Sequence, residues 1–140
     1  MEELTLSVET DSSLDDIKAL GDGLTEHALP TTGAPGFLPL SVFAREADGR
    51  LVGGISAMVN WNWLQIQLVW ISPERRRTGL GSELLSRIEN AGKERGCTNA
   101  HLDTFSYQAR PFYERHGYEL FATLDDYPTG HRRFYLRKRL

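Results

Sequence analysis

The feature that most constrains this chain is the run from Leu64 to Arg95, which reads without interruption as strand, polar glycine turn and helix. Gln65, Ile66, Gln67, Leu68, Val69, Trp70 and Ile71 alternate apolar, largely β-branched or aromatic residues with polar ones until Ser72-Pro73, where proline removes a ladder donor. A turn carrying Arg75, Arg76 and Arg77 follows. Leu80, Leu84, Leu85, Ile88 and Ala91 then recur at helical spacing up to Gly96, with Lys93 and Arg95 in the last turn, where cations suit the helix dipole. The first amides of a helix lack intrahelical partners and sit at its positive end. A loop entering through small residues can therefore wrap its N–H groups around a phosphate. Gly79 and Gly81 permit close backbone approach, and the arginines add charge without demanding a metal. A Walker loop would end in Gly-Lys-Ser/Thr, and a Rossmann fingerprint would place a third glycine where Leu84 stands; both patterns are missing.

Length and charge bound what such a unit can belong to. At 140 residues, 40% hydrophobic and 25% charged, the chain fits one domain spanning 1–140. A formal charge of −3 argues against a nucleic-acid partner, whose affinity would rest on a broad basic surface; the basic residues instead cluster at Arg75–Arg77 and Arg132–Arg139. No apolar run approaches the roughly 20 residues that span a bilayer, and Met1-Glu2-Glu3 lacks a basic leader, so a cytoplasmic, membrane-free protein is expected. The single cysteine, Cys97, reads as a buried small hydrophobe in a reducing compartment. His27, His101, His116 and His131 lack metal-ligand spacing, and no metal is expected.

Taken in order, Leu4, Leu6 and Val8 alternate as a first strand, and Ser12 or Ser13 caps a helix bearing Leu14, Ile17, Leu20 and Leu24 on one face. Leu29–Gly36 is loop by composition. Residues Phe37–Glu46 and Leu51–Asn60 form a hairpin through Asp48-Gly49, then turn into Leu64–Ile71. After the central helix come a strand at Asn99–Phe105, a short helix at Gln108–His116 stopped by Gly117, and strands at Tyr118–Leu124 and Arg132–Arg139. The order β-α-β-β-β-α-β-α-β-β predicts an α+β fold: a mixed, mostly antiparallel sheet of about seven strands with helices on both faces.

Arg76-x-x-Gly79-x-Gly81 resembles the acetyl-coenzyme A pyrophosphate loop of the GCN5-related N-acetyltransferase (GNAT) superfamily, and Ala109-Arg110-Pro111-Phe112-Tyr113-Glu114-Arg115-His116-Gly117-Tyr118 is similar to that family's Ala-x-x-x-Tyr-Glu-x-x-Gly-Phe/Tyr segment. The element order resembles the family over nearly the whole chain. The resemblance implies acetyl transfer from acetyl-CoA to a primary amine by direct attack in a ternary complex. It implies cofactor contacts from Arg76, Arg77, Thr78, Gly79, Leu80, Gly81 and Ser82, and from the backbone of Val69, Trp70 and Ile71, where the strands Gln65–Ile71 and Asn99–Phe105 part. Ser106 stands where many members carry Asn. Tyr113 is the implied general acid, because a phenol with reference pKa about 10 stays protonated at neutral pH, with Phe112 assigned to packing. The general base is unassigned, since Gln65 and Gln67 occupy the strand where relatives place Glu; Asp103 could act directly or through water, or serve as a structural acceptor. The acceptor, a small-molecule or peptide amine, is expected at Leu24–Gly36 and Asp125–His131. The aromatic, basic final strand Phe134-Tyr135-Leu136 is read as an edge open to homodimer pairing. The competing readings are a non-catalytic acyl-CoA-binding module on the same fold and an ATP-binding turn.

Overall fold

The computed structural model describes residues 3–140 and divides the chain at Pro35 into a helical N-terminal segment and a sheet-bearing body. In the segment, helix α1 spans Leu14–Thr32, capped where Ser13 Oγ accepts the Asp16 N–H at 3.1 Å. It runs through Pro30 into the expected loop. A proline in the last turn forfeits one donor, and the Thr32 hydroxyl and the Gly33 amide bond the Ala28 and Leu29 carbonyls. Leu14, Ile17, Leu20 and Leu24 share a face as predicted, yet no residue of α1 is buried. The expected first strand does not form: residues 3–10 have no ladder partner, and Leu4, Leu6 and Val8 are exposed. Alternation alone does not make a strand without an edge to pair with.

The body is a six-stranded sheet rather than one of about seven. Its strands are β1 (Leu38–Arg45), β2 (Leu51–Asn60), β3 (Trp63–Ile71), β4 (Asn99–Phe105), β5 (Glu119–Asp125) and β6 (Arg132–Arg139), in the spatial order β1-β2-β3-β4-β6-β5. All neighbours are antiparallel except β3 and β4. The final strand is thus interior, hydrogen-bonded to β4 on one side and β5 on the other with Leu136 fully buried, so it offers no edge to a second copy. Its aromatics Phe134 and Tyr135 are half-buried, with Phe134 packed against the core.

Helix α2 (Leu80–Glu94) packs across β1, β2 and β3, and short helix α3 (Arg110–Arg115) joins the same core. Leu84, Leu85 and Ile88 meet Ile55, Ala57, Leu64, Ile66, Leu102 and Leu136. Burying each such side chain contributes roughly 1.5–3 kcal/mol. On the next turn, Glu89 is buried but satisfied: Tyr118 donates its hydroxyl at 2.7 Å and Lys138 its ammonium at 2.9 Å. Gly92 lets the helix approach β3, since a Cβ there would meet Leu64 Cδ2 at 3.2 Å. Cys97 is buried, as its composition suggested.

One irregularity in β3 matters for the site. Ser56 pairs with Leu68 and Ala57 with Ile66, so Gln67 is bulged out of the ladder. The bulge shifts the alternation: Leu64 and Ile66 face the core before it, Val69 and Ile71 after it, and Leu68 and Trp70 are exposed.

Candidate active site

The turn between β3 and α2 is braced from outside and open inside. A short 3-10 turn at Pro73–Arg75 begins it. Arg75 reaches Glu46 at 3.1 Å, and Arg50 reaches Glu46 at 2.7 Å and Glu74 at 3.1 Å. The Arg50 and Arg75 guanidiniums hold the Glu46 carboxyl below the usual carboxylate range. Arg76 Nε donates to the Ile71 carbonyl at 3.0 Å, and the Thr78 hydroxyl donates to the Arg75 carbonyl at 2.6 Å. Arg77, with φ of 61°, makes no ion pair among the described residues. Of the three arginines, one is consumed by Glu46, one fastens the turn to β3 through a single nitrogen, and one is unpaired.

Gly79 is the N-cap of α2 in the left-handed region, with φ of 88°, and no side chain caps the helix. The amides of residues 77–82 find no acceptor among the described residues. A Cβ on Gly79 would meet nothing within 4 Å. An open, left-handed entry with uncapped amides at the positive end of a 15-residue helix fits a diphosphate. At Gly81 a Cβ would sit 3.0 Å from Ile71 Cδ1 and 3.3 Å from Phe112 Cζ, so the absence of a side chain there also admits the α3 aromatic ring.

Beside this turn the sheet opens. The parallel β3–β4 ladder holds only from Trp63–Asn99 to Gln65–His101 and ends two residues before the bulged Gln67. Val69, Trp70 and Ile71 stay paired with Ile55, Gly54 and Gly53 of β2, while their β4-facing side has no strand partner. Where the strands part lies a cleft of about 290 Å³ lined by Gln65, Gln67, His101, Asp103, Arg133 and Tyr135, with Ile66 and Leu102 beneath. His101 and Asp103 reach it together because Ala100, Leu102 and Thr104 take the core face of β4.

Tyr113 is buried, 7% exposed, with Phe112 edge-on at 5.2 Å and Tyr118 edge-on at 6.1 Å. Its hydroxyl has no hydrogen-bond partner among the described residues. Burial, with help from the Asp103 charge, pushes its pKa up to about 12. Of the two adjacent aromatics, Tyr113 is the member of the buried core cluster and Phe112 packs half-buried against it, so the expected division of Phe112 to packing and Tyr113 to the cleft does not hold for the rings. Asp103 Oδ1 is held by Arg133, at 2.8 Å from Nη2 and 3.0 Å from Nε. Ser106 bonds the start of β6, its hydroxyl accepting the Arg132 N–H at 3.0 Å.

The model of the acetyltransferase (GNAT) family matches residues 20–118. The chain belongs to that family. It is 43% identical over 96 residues to a blasticidin-S acetyltransferase of Streptomyces morookaense, covering 66% of this chain and 71% of the relative. An acetyltransferase of Agrobacterium fabrum is 30% identical over 122 residues, covering 87% and 89%. A crystal structure of an acetyltransferase from Bacillus cereus superposes with a TM-score of 0.84 at 27% identity, covering 96% of this chain and 98% of that one. The chain is accordingly an acetyl-CoA-dependent acetyltransferase of GNAT fold. No helix among the described residues is long and apolar enough to cross a membrane.

Three neighbours of this GNAT site escaped sequence reasoning. Arg133 meets Asp103 across paired strands and carries Phe105, Tyr127 and Tyr135 around its guanidinium at 4.9–5.4 Å. His101 shares the cleft face with Asp103, and burial lowers its pKa against the opposing pull of Asp103. His116 Nε2 lies 2.9 Å from Ser82 Oγ, tying the end of α3 to the opening of α2. Only the i, i+2 spacing of His101 and Asp103 on one strand was a readable signal.

Proposed function

We propose that this acetyltransferase acetylates the primary amine of a small-molecule acceptor, by direct attack while both substrates are bound. The carrying observation is that the uncapped amides at the opening of α2 and a polar cleft are joined by the β3 edge left free where β3 and β4 part. Acetyl-CoA supplies the activated acetyl thioester. The amides of 79–82, with Arg76, Arg77 and Thr78, hold its diphosphate, and the unpaired side of Val69–Ile71 aligns the pantetheine arm. A fixed backbone donor there would stabilise charge developing on the carbonyl oxygen. Ser106 is fixed to the start of β6 by its N–H, which donates to the Arg132 carbonyl at 2.8 Å, and by its hydroxyl, which accepts the Arg132 N–H at 3.0 Å and keeps its own proton as the donor it can offer the cofactor.

Tyr113 keeps its proton at neutral pH and delivers it to the departing thiolate. Asp103, fixed by Arg133, draws the ammonium form of the acceptor into the cleft and takes its proton through water. His101, kept neutral by burial, stands ready on the same face to pass that proton on. The blasticidin-S acetyltransferase relative supports a small, polar, amine-bearing acceptor over a protein. Thiol release from acetyl-CoA, measured over blasticidin S, aminoglycosides, polyamines and N-terminal peptides, tests the reading. Turnover concentrated on the small amines supports it; turnover on peptides alone overturns the acceptor class, and none on any amine favours the non-catalytic acyl-CoA-binding module.

A further inference from the structure

Helix α3 touches the opening turn of α2 at two consecutive residues. Phe112 lies against Gly81, and His116 shares a hydrogen bond of 2.9 Å with the Ser82 hydroxyl. The His116 ring is itself fixed, packed on Phe112 at 4.7 Å and carried by the residue that ends α3, where its amide donates to the Tyr113 carbonyl at 3.0 Å. Ser82 is the third residue of α2, so its N–H is among the uncapped amides and its hydroxyl lies at their rim. A free serine hydroxyl there would rotate among three staggered positions. It would also be able to turn back onto a local carbonyl.

We infer that His116 is a positioning residue for cofactor binding: it holds the Ser82 hydroxyl at the rim of the amide cradle and locks that cradle to the helix that carries Tyr113. The inference rests on the diphosphate reading of the cradle given above. Two otherwise separate tasks, gripping the phosphates and presenting the acid, are thereby set in one register.

The test compares acetyl-CoA with acetyl-pantetheine, a donor that has the thioester arm and lacks the diphosphate. His116→Ala and Ser82→Ala should each lower the ratio of kcat/KM for acetyl-CoA to that for acetyl-pantetheine by about three- to tenfold, the worth of one hydrogen bond. The double variant should do no worse than the poorer single one, because both remove the same contact. His116→Gln, whose amide reaches the Nε2 position, should restore the ratio. An unchanged ratio in His116→Ala overturns the inference, whether both donors suffer equally from a packing fault or neither suffers. A wild-type enzyme that uses both donors equally well would instead sink the diphosphate reading itself.

Discussion

Two helices in this chain begin in opposite ways. Helix α1 starts on Ser13, whose hydroxyl takes the Asp16 amide, with Asp15 and Asp16 adding negative charge to the first turn. Helix α2 starts on Gly79 with no capping side chain, uncapped amides and arginines in the preceding turn. The first arrangement satisfies its own dipole and has nothing left to offer an anion. The second forgoes a cap worth about 1 kcal/mol and keeps its donors for a ligand. Helix α2 tolerates that loss because Leu84, Leu85 and Ile88 anchor it in the core, whereas α1 buries nothing and depends on its local cap.

The contrast can be broken in graded ways. The largest effect is expected away from the cradle: Tyr113→Phe should lower kcat about 100-fold or more while leaving the dissociation constant for CoA unchanged, which separates gripping from chemistry. The phenol's raised pKa favours its protonated form, so turnover should not lose an acid as pH passes 10 and should do so only as pH rises through about 12. A fall centred near 10 in a pH–kcat profile would contradict the assignment.

Giving α2 the kind of start that α1 has should come next. Gly79→Asp places a carboxylate among the free amides at a left-handed position that aspartate can adopt, and CoA affinity by calorimetry should fall about 10- to 100-fold, the worth of a charge-assisted bond. Retained affinity would mean the diphosphate binds elsewhere. Arg77→Ala should weaken CoA binding about threefold, and the difference should shrink as salt is raised, because an exposed charge is screened. Ser13→Ala should leave CoA affinity untouched and cost about 1 kcal/mol of α1 stability, read as lost helicity by circular dichroism.

What could be read from the sequence divides along the same line. The cradle was legible because strand, glycines and helix are contiguous and the donors are backbone, so spacing alone places them. The capped start of α1 was legible for the same reason. Leu4, Leu6 and Val8 misled because alternation specifies a face but not a partner strand. The last strand was misplaced at an edge because its insertion between β4 and β5 depends on long-range pairing. The packing of Phe112 against Gly81 was not legible, since the ring comes from another helix. Asp103–Arg133 and Ser82–His116 link residues 30 and 34 positions apart, and nothing local announces either pair.

The central claim is that the opening amides of α2 hold the diphosphate, and an amide-resolved titration of the labelled protein with CoA tests it most directly. The account predicts that the N–H signals of Gly79, Leu80, Gly81 and Ser82 move together and saturate, while those of Asp15 and Asp16 at the capped start of α1 stay where they are. Saturation of CoA binding with the residue 79–82 amides unmoved would contradict it.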